Sequence, residues 1–207
     1  MNTKPENTLL HKFFTEHNEI VDDHEFDNIY PHSIKILSDV HWTPLEVALK
    51  ASELLVKTPE TKVLDIGSGS GKFCLIGASY TEGLFTGIEQ RKFLVDISKK
   101  MSEEYNIKNA DFIHSNILHI DFSEYDAFYF FNSFEENVFD IWPRIDYAVE
   151  LSVSKYDEYN AYIFEQFEKL ASGTRIVTYC SSDKQIPDSY DLEESCFDNL
   201  MRLWIKK

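Results

Sequence analysis

An apolar run that ends in a glycine-rich turn constrains the fold of this chain more than any other feature. The run Val63–Ile66 predicts a buried strand, Gly67, Gly69 and Gly71 follow it at alternate positions, and a helical pattern then extends to Tyr80. Glycines let backbone amides approach a ligand closely and adopt positive φ. Open α/β sheets bind ligands at such turns, beyond the carboxyl end of a strand. The turn therefore predicts an α/β fold with a ligand site beside it.

The rest of the chain fits that prediction, because β-rich runs and helical stretches alternate after residue 43, as they do in parallel sheets with helices on both faces. Thr43 is placed to cap a helix that starts at Pro44, with Glu46 completing a capping box. The pattern predicts a mostly helical region over 134–172 that Gly173 ends, and a terminal antiparallel hairpin. The predicted strands are 62–66, 84–89, 111–114, 126–131, 175–180, 190–197 and 200–205.

The N-terminal 40 residues have a different pattern and are predicted to form a helical extension or lid on a domain at 41–207. Apolar residues recur at helical spacing from Glu6 to Val21, which predicts an amphipathic helix. The acidic stretch 22–31 is predicted to be a connector, and Ile34–Leu37 a short turn or helix.

The composition of the chain limits which partners it can bind and in which cellular compartment we expect it. The 207 residues suit one domain, and a formal charge of −16 disfavours nucleic acid and anionic membrane surfaces. No apolar run reaches the roughly 18–20 residues that span a bilayer, and the three cysteines and seven histidines lack metal-ligand spacing. We therefore expect a cytoplasmic protein with no metal site and no membrane contact.

The spacing of the glycines separates three kinds of ligand. A Walker phosphate loop would need glycine at Ile66 and Ser or Thr at Phe73, so it fails twice. A dinucleotide fingerprint would need glycine or alanine at Lys72. The preceding Asp65 would also repel a pyrophosphate, whereas its carboxylate can accept hydrogen bonds from a ligand's ammonium group.

The pattern Asp65-x-Gly67-x-Gly69-x-Gly71 resembles the first motif of the class I S-adenosylmethionine-dependent methyltransferases, and the resemblance covers roughly residues 40–207. Uncharacterised bacterial members look most similar. The resemblance implies a Rossmann-like sheet of seven strands in the order 3-2-1-4-5-7-6, with the last strand antiparallel. It also implies the cofactor S-adenosylmethionine, whose methionine and ribose part this turn would cradle, Ser68 included.

Further cofactor-binding residues are implied at the ends of the following strands. Glu89 ends the second predicted strand about 20 residues after the turn, where an acid binds the ribose hydroxyls. The resemblance places Gln90 beside it, Asn116 against the adenine amino group, and Asn132 and Trp42 at the cofactor. Two of these also have simpler interpretations: Glu89 could be a surface acid near Arg91, and Trp42 a packed residue before a helix.

Candidate catalytic residues follow the fourth strand, where the family's substrate-facing motif lies: Asn132, Glu135 and Glu136. An acid or amide there could accept a proton from the acceptor or orient its lone pair, although Asn132 could equally make an Asx turn. In amino-group methyltransferases two prolines and an aromatic follow the Asn or Asp, whereas Ser133-Phe134-Glu135 stands here, which disfavours DNA adenine methylation.

The sequence therefore predicts methyl transfer to an unidentified acceptor, a small molecule or a protein side chain. Two alternatives stay open, namely a nicotinamide-dependent oxidoreductase and a non-catalytic nucleotide-binding or scaffold protein with the same fold. The oligomeric state is not predicted.

Overall fold

The computed structural model describes residues 22–138 and 144–207, and its centre is a seven-stranded sheet. The strand order is β3-β2-β1-β4-β5-β7-β6, with all pairings parallel except the two that involve β7. The predicted fold class is thereby confirmed. The strands are β1 Lys62–Ile66, β2 Leu84–Glu89, β3 Ala110–His114, β4 Ala127–Phe131, β5 Arg175–Tyr179, β6 Tyr190–Cys196 and β7 Met201–Lys206.

Helices cover both faces of the sheet. The helices of four or more residues among those described are α1 Asp23–Phe26, α2 His32–Lys35, α3 Ser38–His41, α4 Leu45–Leu55, α5 Lys72–Tyr80, α6 Lys92–Glu104 and α7 Val153–Lys169. The apolar residues of α4, α5 and α6 form one buried cluster that includes Val63 of β1. Those of α7 form a second cluster with Leu64 and Ile66, because successive side chains of a strand point to opposite faces.

The described part of the N-terminal extension packs into the first of these clusters. Phe26, Tyr30 and Ile34 are buried there, so the prediction of a connector over 22–31 is wrong. The segment instead folds into α1 and a short 3-10 turn at Asp27–Ile29, because its few apolar residues all find a place in the core. The helix predicted over 6–21 lies outside the described residues.

The start of α4 is held differently from the prediction. Its N-cap is Pro44, with no side-chain capping bond, and Thr43 Oγ1 instead lies 3.2 Å from the buried hydroxyl of Tyr129. The backbone N–H of Leu45 donates to Asp23 Oδ1 at 2.8 Å. The prediction of a capping box is therefore wrong, because the carboxylate of Asp23 in the extension caps this helix instead of Thr43.

The region predicted to be helical over 134–172 is helical mainly in its second half. A 3-10 turn at Glu135–Asn137 is followed by irregular chain over 144–152, and α7 then begins after its capping residue Ser152. Hydrogen bonds from the N–H groups of Ile145 and Ser152 to side chains of the 135–137 turn hold this irregular chain. Gly173 has a φ of +87° but lies four residues beyond the end of α7 at Lys169, so it does not end the helix.

Candidate functional site

The glycine turn between β1 and α5 leaves no room for side chains. Gly67, Gly69 and Gly71 have φ values of +74°, +54° and +78°. A Cβ at Gly67 would lie 2.5 Å from Ser133 Cβ, and one at Gly69 would lie 2.4 Å from the Trp42 ring. The turn therefore packs between Trp42 and the residues after β4, and its backbone conformation favours glycine.

Two cavities open beside this turn, at the carboxyl ends of the parallel strands. The larger has a volume of about 290 Å³ and the smaller about 20 Å³. Both are lined by His41, Trp42, Gly67 and Phe131, so they adjoin at the turn. Of the predicted site residues, the larger cavity is lined by Trp42, Gly67, Gly69, Glu89, Gln90, Asn116, Asn132, Glu135 and Glu136, and the smaller by Trp42, Asp65, Gly67 and Ser68.

Asp65 lies at the bottom of the smaller cavity and is almost fully buried. Burial, opposed by a hydrogen bond from the Cys74 thiol and aided by the nearby charge of Glu89, raises its pKa to about 7. The Ser68 hydroxyl in the same cavity is buried and has no hydrogen-bond partner among the described residues. A polar ligand group could therefore supply partners that these two side chains lack.

Glu89 lies at the end of β2 with both carboxylate oxygens turned to backbone N–H groups. Oε2 accepts from Gly69 at 3.1 Å and Oε1 from Arg91 at 2.8 Å. The carboxylate thus ties the glycine turn to the β2 end and still has lone pairs free for a ligand hydroxyl. Burial raises its pKa, and hydrogen bonds from backbone N–H groups together with the charge of Arg91 oppose that change.

Arg91 joins Glu89 to the chain that follows β4. It is buried, and its Nη2 donates to Glu136 at 2.7 Å while its Nε donates to Asp146 at 3.2 Å. Glu136 also accepts from the N–H of Ile145 through its other oxygen. Both oxygens of Glu136 therefore have partners, which favours a structural role for this predicted catalytic residue.

Asn132 and Glu135 remain available at the cavity wall. Asn132 has a φ of +47°, and its Oδ1 is buried without a hydrogen-bond partner among the described residues. The Glu135 side chain forms no hydrogen bond or ion pair with any residue that the structure describes. Ser133 between them donates to the carbonyl of Ile66 and packs on Gly67.

Asn116 lines the cavity, but its amide group already has two partners. Its Oδ1 accepts from the N–H of Leu118 at 3.0 Å, and its Nδ2 donates to the Tyr159 hydroxyl, also at 3.0 Å. An adenine amino group would have to share the remaining lone pair of Oδ1. Trp42 is packed, because its indole lies against Gly69 and its Nε1 donates to the carbonyl of Ile34. Its contact with the cofactor stays a prediction.

Sequence reasoning missed two basic residues that organise the site. Lys72 served there only to exclude a dinucleotide fingerprint, yet it is buried and forms ion pairs with Asp23 at 2.6 Å and Asp27 at 2.8 Å. Arg91 was considered only as a surface partner of Glu89. The sequence does contain a feature that could have indicated the ion pairs of Lys72. This lysine lies in an otherwise apolar helical pattern, and the acidic stretch 22–31 offers carboxylate partners. Tyr159 and Cys180, which also line the larger cavity, gave no such signal.

Comparisons with known proteins show the family of this chain. A family model described as a methyltransferase domain matches residues 57–204, and the chain belongs to that family. Its fold is that of the class I S-adenosylmethionine-dependent methyltransferases, as the order of the strands and the first motif predicted, and S-adenosylmethionine is the cofactor of that class.

More specific relatives share the fold but differ in what they act on. A protein-L-isoaspartate O-methyltransferase of Vibrio cholerae is 37% identical over 70 residues, which are 34% of this chain and only 33% of the relative. An RNA methyltransferase from Salinibacter ruber, solved with S-adenosylhomocysteine, has a TM-score of 0.52 at 16% identity, covering 78% of this chain and 88% of that one. A precorrin-6y C5,15-methyltransferase from Geobacter metallireducens has a TM-score of 0.54 at 13% identity, covering 78% and 87%.

Over 22–138 and 144–207, no helix combines the length and the hydropathy needed to cross a bilayer. The same residues include no group of three or more His, Cys, Asp or Glu side chains placed to hold a metal ion.

Proposed function

We propose that this protein binds S-adenosylmethionine across the two adjoining cavities and transfers its methyl group to an acceptor that enters beside Asn132. The observation that carries the proposal is the placement of Asp65 and Glu89 beside the glycine turn, at or next to the carboxyl ends of two neighbouring strands. The acceptors named for the relatives are not transferred to this chain, because the isoaspartate match spans a third of that protein and the structural matches share only the fold.

The residues fit the two ends of the cofactor. Asp65 and the unpartnered Ser68 hydroxyl would bind the amino-acid end in the smaller cavity. Glu89 would accept from the ribose hydroxyls, and Ile88 and Ile117 offer apolar walls for the adenine in the larger cavity. The bound cofactor supplies a methyl group made electrophilic by its sulfonium.

The chain's own part in transfer is mainly to position the acceptor. Asn132 Oδ1 lacks a partner and would accept a hydrogen bond from the acceptor. Glu135, which also lacks a described partner, would take up a proton that the acceptor loses. Trp42 lies against Gly69 and would keep water from that side of the turn. Glu136 is left out of this scheme because Arg91 holds it.

The two alternatives have less support. A nicotinamide-dependent oxidoreductase of the doubly wound type has strand order 3-2-1-4-5-6, whereas this sheet ends in an antiparallel hairpin. A non-catalytic scaffold would have no need of an unpartnered polar group in each cavity, and here Ser68 and Asn132 provide one each.

Binding of S-adenosylhomocysteine tests the proposal. We expect it to raise the melting temperature of the protein, since a ligand at 100 times its Kd stabilises the folded state by about 2.7 kcal/mol. Asp65→Ala and Glu89→Gln should remove most of the rise, whereas Asp111→Ala, an exposed acid on β3, should leave it unchanged. No rise in the parent protein at millimolar ligand would contradict the proposal.

A further inference from the structure

The charges that line the larger cavity are almost all negative. Glu89, Glu135 and Glu136 contribute three carboxylates, and Arg91 is the one Lys or Arg that lines it among the described residues. Arg91 is already bound by Glu136 and Asp146 and lies 4.0 Å from Glu89.

Among the described residues, no unpaired Lys or Arg lines the smaller cavity either. Lys72 lines it, but its ammonium group is paired with both Asp23 and Asp27. An anionic acceptor would therefore lose its hydration without gaining a cation, which costs several kcal/mol for a buried charge. The single positive charge of a bound sulfonium does not cancel the excess of carboxylates.

Much of the remaining wall of the larger cavity is apolar or aromatic. Trp42, Phe131, Phe134 and Tyr159 line it together with three isoleucines. Aromatic faces attract cations as well as apolar groups. Glu135, whose carboxylate has no described partner, lies near Cys180 at this wall, and its charge adds to the burial that raises the pKa of that thiol.

We infer that the acceptor is an amine with an apolar or aromatic body, bound as a cation and methylated on nitrogen, and not a carboxylate or a phosphorylated compound. This inference rests on the proposed methyl transfer. The ammonium form first gives a proton to Glu135 or to solvent. The nitrogen lone pair then forms the N–C bond while the C–S bond breaks, its electron pair stays on sulfur, and the positive charge moves to the methylated nitrogen.

A matched pair of probes tests the charge preference. 2-Phenylethylamine and 3-phenylpropanoate have the same ring and similar length but opposite charge. Their binding to the protein saturated with S-adenosylhomocysteine is measured by calorimetry. We expect the amine to bind at least about tenfold more tightly, and S-adenosylmethionine to convert it to a base-stable N-methyl product.

The variant Glu135→Lys should reverse or abolish this preference, shifting the ratio of the two Kd values by about tenfold or more. The control is Glu124→Lys, which makes the same charge change at an exposed residue before β4, at the opposite edge of the sheet. A ratio of affinities is insensitive to a general loss of folded protein. Tighter binding of the carboxylate, no binding of either probe at millimolar concentration, or an unchanged ratio in Glu135→Lys would overturn the inference. Each of these results leaves the proposed function standing if S-adenosylhomocysteine still stabilises the protein.

Discussion

Asp65 is a buried carboxylate whose ionisation is coupled to its environment. Because burial raises its pKa to about 7, it is largely protonated below that pH in the free protein. An ammonium group on a ligand binds the ionised form better, so the ligand must displace a proton when the pH is below 7. The affinity for such a ligand should therefore rise with pH.

We predict that the affinity for S-adenosylhomocysteine rises by up to about tenfold per pH unit between about pH 5.5 and 7, and levels off above that range. Calorimetric titration over this range measures the slope. Asp65→Asn should bind more weakly and show a nearly flat profile. If the slope were the same in Asp65→Asn, Asp65 would not be the group that titrates.

Single residues also show where sequence reasoning succeeds and fails. Asp65 and Glu89 could be predicted because a strand end and the glycine spacing locate them in the chain. The hydrogen bonds that occupy the side chains of Asn116 and Glu136 could not be predicted, because both depend on partners distant in sequence. These partners are Tyr159 for Asn116 and Arg91 for Glu136. Local pattern does not contain such tertiary hydrogen bonds.

Among the elements, the junction between the N-terminal extension and α5 depends on one buried ion pair, which joins Lys72 to Asp27 in the 3-10 turn after α1. Lys72 and Asp27 are each about 2% exposed, and Asp23 is 40% exposed. Removing one partner of a buried pair leaves an uncompensated charge, which costs about 3–5 kcal/mol. Exposed pairs contribute far less.

We predict that Lys72→Met lowers the free energy of unfolding by about 3–5 kcal/mol, measured by urea denaturation. Adding Asp27→Asn should recover part of the loss, because the orphaned charge is then gone. Lys92→Met, which breaks the exposed pair with Asp96, should cost under about 1 kcal/mol. If Lys72→Met and Lys92→Met lowered the free energy of unfolding equally, the buried pair would contribute no more to stability than the exposed one.

Arg91 holds the irregular chain after β4 against the end of β2. We predict that Arg91→Met speeds amide hydrogen exchange at 135–138 and 144–149, because Glu136 and Asp146 lose their common partner. Exchange in α6 and β1 should change little. Mass spectrometry of peptides from these segments measures the effect, and unchanged exchange at 144–149 would mean that other contacts hold this chain.

Most strands and helices could be predicted within two residues because their patterns are local. The failures share a cause. Thr43 lost its predicted capping role to Asp23, and the 22–31 segment gained structure through burial of Phe26 and Tyr30. In both cases a contact between the extension and the sheet domain outweighed the structure that the local sequence favours.

At the scale of the whole molecule, the formal charge of −16 opposes the compact state. Salt screens this repulsion, since the Debye length falls from about 30 Å at 0.01 M to about 8 Å at 0.15 M. We predict a melting temperature that rises by a few degrees over this range of NaCl. Glu193→Lys, at an exposed position of the edge strand β6, should reduce the rise. A melting temperature that falls with salt would show that attractive ion pairs outweigh the repulsion.

The Asp23 carboxylate binds two groups of the sheet domain, and this limits where the chain can be cut into separate parts. The same Oδ1 atom accepts from the ammonium of Lys72 and from the backbone of Leu45. Excising residues 1–40 would thus remove the cap of α4 and leave Lys72 of α5 without its carboxylate partners. It would also expose the part of the core that Phe26 covers. The extension is for this reason not an exchangeable module, and chimaeras that swap it between relatives would need its acidic residues transplanted together with the lysine they bind.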